Sequence, residues 1–107
     1  MAKYLIEASY TAEGLRGLQK DKASGRRAAI QKLTQSLGGK VEAVYFALGE
    51  YDVVVIADLP DNVTATAIAL TVSASGLVRT RTTVLLTVEE TDQALAKKLD
   101  YSPPGRG

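Results

Sequence analysis

Two side chains that could do chemistry stand next to each other at Tyr51 and Asp52, directly after Gly49 and Glu50. A phenol and a carboxylate side by side could act as a proton donor and a base at the mouth of a cavity. The structural interpretation is a hairpin corner, in which Gly49 turns the chain and Asp52 accepts hydrogen bonds from loop amides. Tyr51 would then pack its ring and leave its hydroxyl in water. The residue types favour the hairpin corner and leave the functional interpretation open.

Two arginines, Arg79 and Arg81, form the second candidate group. Side chains two residues apart on a strand lie on the same face, so both guanidinium groups could bind one carboxylate or phosphate. The alternative is that they form ion pairs with Glu7, Asp52 or Asp58 on neighbouring strands. The predicted ligand-binding residues are therefore Tyr51, Asp52, Arg79, Arg81 and Glu7, and the sequence assigns no catalytic residue.

Several kinds of site are excluded by residue types that the sequence lacks. The 107-residue chain contains no Cys and no His. Thiol nucleophiles, thiolate metal sites, the usual haem ligand and every His-based triad are thereby removed. Gly14, Gly17 and Gly25 match neither familiar spacing of a phosphate-binding loop. We therefore predict no cofactor and no metal site.

The charges are balanced, with 13 Lys and Arg against 12 Asp and Glu and a net charge of +1. The run LQKDKASGRR could form a basic patch for phosphate or RNA, but Asp21 interrupts it and it has no aromatic residue, so a solvated helix face is favoured. The N-terminus turns polar at Glu7, too early for a signal peptide. No stretch approaches the roughly 20 apolar residues of a membrane span. We expect a cytoplasmic protein that binds neither nucleic acid nor membranes.

Hydrophobic periodicity predicts four strands and three helices. The strands are Tyr4–Tyr10, Lys40–Leu48, Val53–Ala57 and Leu77–Val88, and the helices are Asp21–Leu37, Asn62–Ser75 and Thr91–Leu99. Thr11 and Glu13 are expected to open a loop. Gly49 and Glu50 are expected to form a two-residue type II′ turn, which makes the second and third strands antiparallel.

Charged residues mark the ends of two of these helices. Asp61 can cap the second helix by accepting from its free N–H groups. Glu89 and Glu90 near the start of the third helix, and Lys97 and Lys98 near its end, would complement the helix dipole.

The order β-α-β, β-α-β with one hairpin between the halves predicts an α+β fold of ferredoxin-like type. This is a four-stranded antiparallel sheet with helices on one face, plus a short C-terminal helix. Such a sheet leaves its other face bare, yet the third strand is apolar on both sides. A second copy of the chain is the natural cover, although the strand could also be a central one whose second face is partly exposed or covered by the tail. We predict one domain over 1–100, a flexible tail over 101–107, and a dimer or higher homo-oligomer.

The stretches YTAEGLRGL, GEYDVVVIADLPD and GLVRTRTTVLL resemble the GYD domain family, and the resemblance covers about Tyr4–Glu90. It implies a ferredoxin-like fold of the dimeric α/β-barrel type, found in bacterial proteins, and no particular reaction. The Gly-Tyr-Asp feature of the family name would correspond to Gly49, Tyr51 and Asp52.

Three functions remain open at this point. The leading one is a homo-oligomeric module that binds a small molecule, with an anion as the favoured class, in a cleft formed by the sheets. The second is a cofactor-free enzyme such as a monooxygenase or isomerase, which rests on analogy with other barrels of this type. The third is a structural subunit of a larger homo-oligomer, in which the uncharged helix Asn62–Ser75 makes an additional contact.

Overall fold

A computed structural model describes residues 1–106. Its elements in chain order are β1 (Ala2–Tyr10), α1 (Ala12–Ser36), β2 (Lys40–Phe46), β3 (Val53–Leu59), α2 (Asn62–Ala74), β4 (Val78–Leu85) and α3 (Val88–Leu95). The four strands form one antiparallel sheet in the order β2-β3-β1-β4. The predicted ferredoxin-like α+β fold is therefore confirmed, including the short C-terminal helix.

The core lies between one face of the sheet and the helices α1 and α2. Its buried apolar residues are Tyr4, Ala8, Val53, Val55, Ala57, Leu59 and Ala65. Strand β3 shows the cause most clearly, because successive side chains leave a strand on opposite sides. Val55 is 6% exposed on the helix side, whereas Val54 and Ile56 point away from the helices and are only partly buried. We call these two sides of the sheet the helix face and the open face.

Helix α1 begins earlier than the sequence predicted, so the loop expected at Thr11 and Glu13 was wrong. The Thr11 hydroxyl accepts a hydrogen bond from the Gly14 backbone N–H at 3.2 Å and caps a helix that starts at Ala12. A single residue with non-helical backbone, Lys22 at φ 66°, divides α1 into two segments. The predicted helix corresponds to the second segment, and the first was missed because its two glycines lower helix propensity.

The hairpin between β2 and β3 is longer than the predicted two-residue turn. Strand β2 ends at Phe46, and the turn is closed by a 2.8 Å hydrogen bond from the Ala47 N–H to the Asp52 carbonyl. Gly49 does not have the positive φ that a type II′ turn requires at its first central position. The Asp52 N–H donates to the Ala8 carbonyl of β1 at 2.8 Å, so the chain is already paired with β1 at the end of the hairpin loop.

Helix α3 begins and ends earlier than predicted. The Thr87 hydroxyl accepts from the Glu90 N–H at 3.0 Å while the Glu90 carboxylate accepts from the Thr87 N–H at 2.9 Å, which is a capping box. Glu90 thus lies in the first turn as expected. The helix ends at Leu95, so Lys97 and Lys98 lie beyond its last turn. The prediction that these two lysines complement the helix dipole was therefore wrong.

Residues 86–106, which we call the C-terminal arm, are all exposed. The arm gives the chain an elongated shape of 57 × 31 × 24 Å and a radius of gyration of 17.2 Å, against about 13 Å for a compact domain of this length. The division into a domain over 1–100 and a flexible tail stays a prediction, and Gly107 lies outside the described residues.

Candidate functional site

The open face of the sheet carries most of the residues that the sequence selected. Its members follow from the strand register and the alternation of side chains. They are Lys3, Leu5, Glu7 and Ser9 of β1, Lys40, Ala43 and Tyr45 of β2, Val54, Ile56 and Asp58 of β3, and Arg79, Arg81, Thr83 and Leu85 of β4. Apolar side chains occupy the middle of this face, and charged side chains lie at its two ends.

Arg79 and Arg81 lie on the same face of β4, as predicted, with Ser9 opposite Arg79 and Glu7 opposite Arg81 in the register with β1. Both arginines are exposed, and within residues 1–106 neither comes within ion-pair distance of a carboxylate. The Arg81 Nη1 instead donates to the Tyr51 hydroxyl at 3.5 Å, the outer limit of a hydrogen bond. This hydrogen bond raises the pKa of Arg81, and the negative charge of Glu7 adds to the effect.

Asp52 belongs to the scaffold of the hairpin. Its carboxylate Oδ2 accepts a 2.8 Å hydrogen bond from the Tyr10 backbone N–H. Its own backbone N–H and carbonyl are also used, by Ala8 and Ala47. The structure therefore brings Tyr51, Arg81 and Glu7 together and engages the Asp52 carboxylate with β1, which is the geometry of the hairpin-corner interpretation.

The other end of the open face is held by Lys3. Its Nζ lies 2.8 Å from the Glu42 carboxylate and 3.1 Å from the Asp58 carboxylate. The hydrogen bond with Glu42 and then that with Asp58 raise the pKa of Lys3. Asp58 is thus paired with Lys3 and not with the arginines, which leaves the far end of the face to Arg79 and Arg81.

A second candidate site lies on the helix face, where α1 and α2 leave a cleft between them. The cleft holds a partly open cavity of about 110 Å³ whose floor comes from β1, β3 and β4 and whose walls come from the two helices. A neighbouring depression of about 300 Å³ shares Tyr10 and Arg26 with it and is also lined by Leu18 and Asp21. The lining is almost entirely apolar, and Arg26 is the charged residue among those that form the cavity.

A comparison with known protein families identifies the chain. The family model described as "GYD domain" matches residues 4–95. This protein belongs to the GYD domain family. No curated protein and no solved structure matches this GYD domain.

The match places both candidate sites inside the GYD domain, because it runs from β1 to the last residue of α3. Within residues 1–106 of this GYD domain, no group of three or more acidic side chains is arranged to hold a metal ion. Among the same residues, no helix is both long enough and apolar enough to cross a bilayer.

Sequence reasoning missed the cleft because it assigned Arg26 to the solvated side of its helix. Arg26, Ile30 and Leu33 nevertheless follow one another at intervals of four and three residues, which places them on one stripe of a helix. All three line the cleft in the GYD domain. A charged residue that continues an apolar stripe was the signal available in the sequence.

Proposed function

We propose that this GYD domain is a self-associating module that binds a small anion at the end of its open face where Arg79 and Arg81 lie. One observation supports this most directly: two neighbouring guanidinium groups share one face, and neither forms an ion pair within the described residues 1–106.

Self-association is supported by the apolar middle of the open face. Val54 and Ile56 are only partly buried, and Tyr45 is 68% exposed. The helices α1 and α2 cover the other face, and the C-terminal arm is exposed along its whole length. A second sheet packed against this face would bury the apolar strip and form the dimeric barrel that the resemblance to the GYD family implies, with about 800 Å² per partner for an interface of ordinary size.

Anion binding is supported by the donors at the arginine end of the face. A guanidinium group can bind a carboxylate or phosphate through two parallel hydrogen bonds. Arg81 uses only a long hydrogen bond to the Tyr51 hydroxyl, so little is lost when it turns to an anion. Glu7 and Glu50 add negative charge near Arg81, and Arg79, opposite Ser9, is the more available of the two cations. The engaged Asp52 carboxylate favours binding over general-base catalysis.

A thermal-shift titration with inorganic phosphate and with succinate tests the anion site. Binding should stabilise the wild type by about 2.7 kcal/mol at a hundredfold excess over the dissociation constant. Arg81→Ala and Arg79→Ala should each abolish or sharply reduce the rise in melting temperature, while Arg16→Ala, a change at an exposed arginine of α1, should retain it. No rise in the wild type, or an equal rise in all four proteins, would overturn the anion site.

Light scattering on a size-exclusion column tests the association separately. The mass should be at least twice the 11.4 kDa of one chain. A monomer at micromolar concentration would overturn the association and leave the anion test to stand alone.

A structural role in a larger assembly is the second candidate, and the surface of α2 favours it. Val63 and Leu70 on this uncharged helix are 78% and 67% exposed. Exposed apolar side chains grouped on one element often mark a contact surface. Leu70→Glu should then reduce an assembly larger than a dimer to a dimer, as measured by the same light scattering. An unchanged mass would count against a contact through α2.

A further inference from the structure

The cleft between α1 and α2 has a size suited to part of a small organic molecule. Its cavity of about 110 Å³ is somewhat smaller than an apolar protein cavity of ~150 Å³ that binds benzene. Val55 forms part of the floor, and Ile30 and Val72 stand on opposite walls. A surface of this kind favours an apolar chain or ring, because water inside it would find few hydrogen-bond partners.

Arg26 places one strong donor beside this apolar surface. Its Nε atom is buried and has no hydrogen-bond partner within residues 1–106. The carboxylate of Asp21 lies 3.9 Å from a different nitrogen, Nη1, which is long for an ion pair. A buried N–H group without an acceptor is costly, so an acceptor delivered by a ligand would be favourable. A carboxylate fits best, because it can accept from Nε and Nη of one guanidinium at once.

The backbone break at Lys22 lies between Asp21 and Arg26. Its φ of 66° is in the left-handed region that residues with side chains rarely adopt. Such conformations are strained and are enriched where a ligand is held. Here the break separates the helical segment that carries Arg26 from the segment that carries Leu18 and Asp21.

We propose that the cleft binds a small monocarboxylic acid with an apolar tail. The tail lies against Val55 between the walls of α1 and α2, and the carboxylate accepts hydrogen bonds from Arg26. Asp21 competes with the carboxylate for the same guanidinium group. The site is on the helix face and uses neither Arg79 nor Arg81, so it is independent of the anion site on the open face.

The first measurement is an NMR titration of the full chain with hexanoate, with hexan-1-ol as the neutral probe of similar length. Hexanoate should shift the methyl resonances of Val55 and Val72 and should bind at least tenfold more tightly than hexan-1-ol. Equal binding of the two probes, or no binding of hexanoate at millimolar concentration, would overturn the proposal.

Variants of α1 then test the role of the charge, with the fold of each checked by circular dichroism. Arg26→Gln should bind hexanoate about tenfold to a hundredfold more weakly, because it removes a charged hydrogen bond. Arg27→Gln is the matched control at the next residue, which is exposed, and should bind like the wild type. Asp21→Asn should bind more tightly, since it removes the competing carboxylate.

Two further variants make the outcome decisive. If Arg26→Gln does not fold, Arg26→Lys keeps the positive charge without the forked donor and should bind hexanoate more weakly than the wild type. Arg81→Ala should leave hexanoate binding unchanged, which separates this site from the open face. Loss of binding in Arg81→Ala together with retained binding in Arg26→Lys would assign the carboxylate to the open face and overturn the proposal.

Discussion

The two faces of the sheet differ in where they keep charge. On the helix face, Val53, Val55, Ala57 and Leu59 are at most 6% exposed, and the charged residue at the cleft is Arg26 on a helix. On the open face, Lys3 and its carboxylate partners occupy one end and the arginines occupy the other, with Val54 and Ile56 between them.

This difference fits a helix face covered by the chain itself and an open face covered by the second copy proposed above. The helix face is covered by helices of the same chain, so its apolar residues are buried as soon as the chain folds. The open face has an apolar middle and a charged periphery, which is the arrangement of a protein interface with a dry core and a polar rim. The same strand, β3, therefore serves two environments through alternate residues, and substitutions at neighbouring positions should have different consequences.

Val55→Asp should have the largest effect, because it places a carboxylate in the helix-face core, where Val55 is 6% exposed. An unpaired buried charge costs several kcal/mol, a large part of the roughly 5–15 kcal/mol that stabilises an ordinary domain. Circular dichroism and solubility should show an unfolded or insoluble protein. A soluble variant with wild-type ellipticity would mean that the core is open to water at this point.

Val54→Asp should keep the fold and abolish self-association. The side chain lies on the open face and is only partly buried in one chain, so the carboxylate can stay hydrated until a partner covers it. Light scattering should give the 11.4 kDa of a single chain, with circular dichroism unchanged. A variant that remains oligomeric would place the contact elsewhere and remove the distinction drawn between the faces.

Gly14→Ala should lower the melting temperature, and Gly17→Ala should raise it. A Cβ atom on Gly14 would lie 2.0 Å from the Leu77 carbonyl oxygen, whereas one on Gly17 would meet no atom within 4 Å. Overpacking costs about 1–3 kcal/mol, and replacing an exposed helical glycine by alanine gains up to about 1 kcal/mol. Calorimetry checks both signs. Equal effects would show that α1 does not approach the β4 end of the helix face as closely as described.

Asp61→Asn should have the smallest effect, and only in acid. The Asp61 carboxylate accepts from the Thr64 N–H and hydroxyl, each at 2.8 Å, and the backbone hydrogen bond in particular lowers the pKa of Asp61. A carboxyl whose pKa is lower in the folded state stabilises the fold above its unfolded pKa, near 3.8, and loses this contribution as the pH falls through the folded pKa.

Asparagine caps a helix about as well as aspartate and does not titrate. The melting temperature of Asp61→Asn should therefore fall less between pH 5 and pH 2 than that of the wild type, while the two proteins should be similar at pH 7. Parallel losses in acid would show that the cap of α2 does not contribute to the pH dependence.

The sequence predicted the elements whose signals are local. Period-two alternation predicted the strands, and Asp61 correctly indicated the start of α2. The Thr87–Glu90 capping box was also readable and would have placed α3 correctly. The hairpin was mispredicted because its length depends on a hydrogen bond between Asp52 and β1 that no local pattern encodes.

The candidate sites also contain features that a local pattern predicts and features that depend on contacts between distant residues. Alternation was enough to place Arg79 and Arg81 on one face of β4. The partner of Arg81 was not predictable, because Tyr51 reaches it from a loop 30 residues away in sequence. The position of Arg26 on an apolar stripe was a readable sign of the cleft. The size of the cleft was not predictable, because the distance between two helices over a sheet depends on how all their side chains pack together.

The sheet order has a consequence for synthesis on the ribosome. Strand β1 is made first, yet it lies in the middle of the sheet, with Ala2 opposite Leu59 and Lys3 opposite Leu85. It must therefore wait, with both hydrogen-bonding edges open, until β3 and then β4 have left the ribosome. Long-range strand pairing of this kind slows folding, and unpaired strand edges invite association with the wrong neighbour. Until residue 59 has been made, the nascent chain therefore exposes both hydrogen-bonding edges of β1.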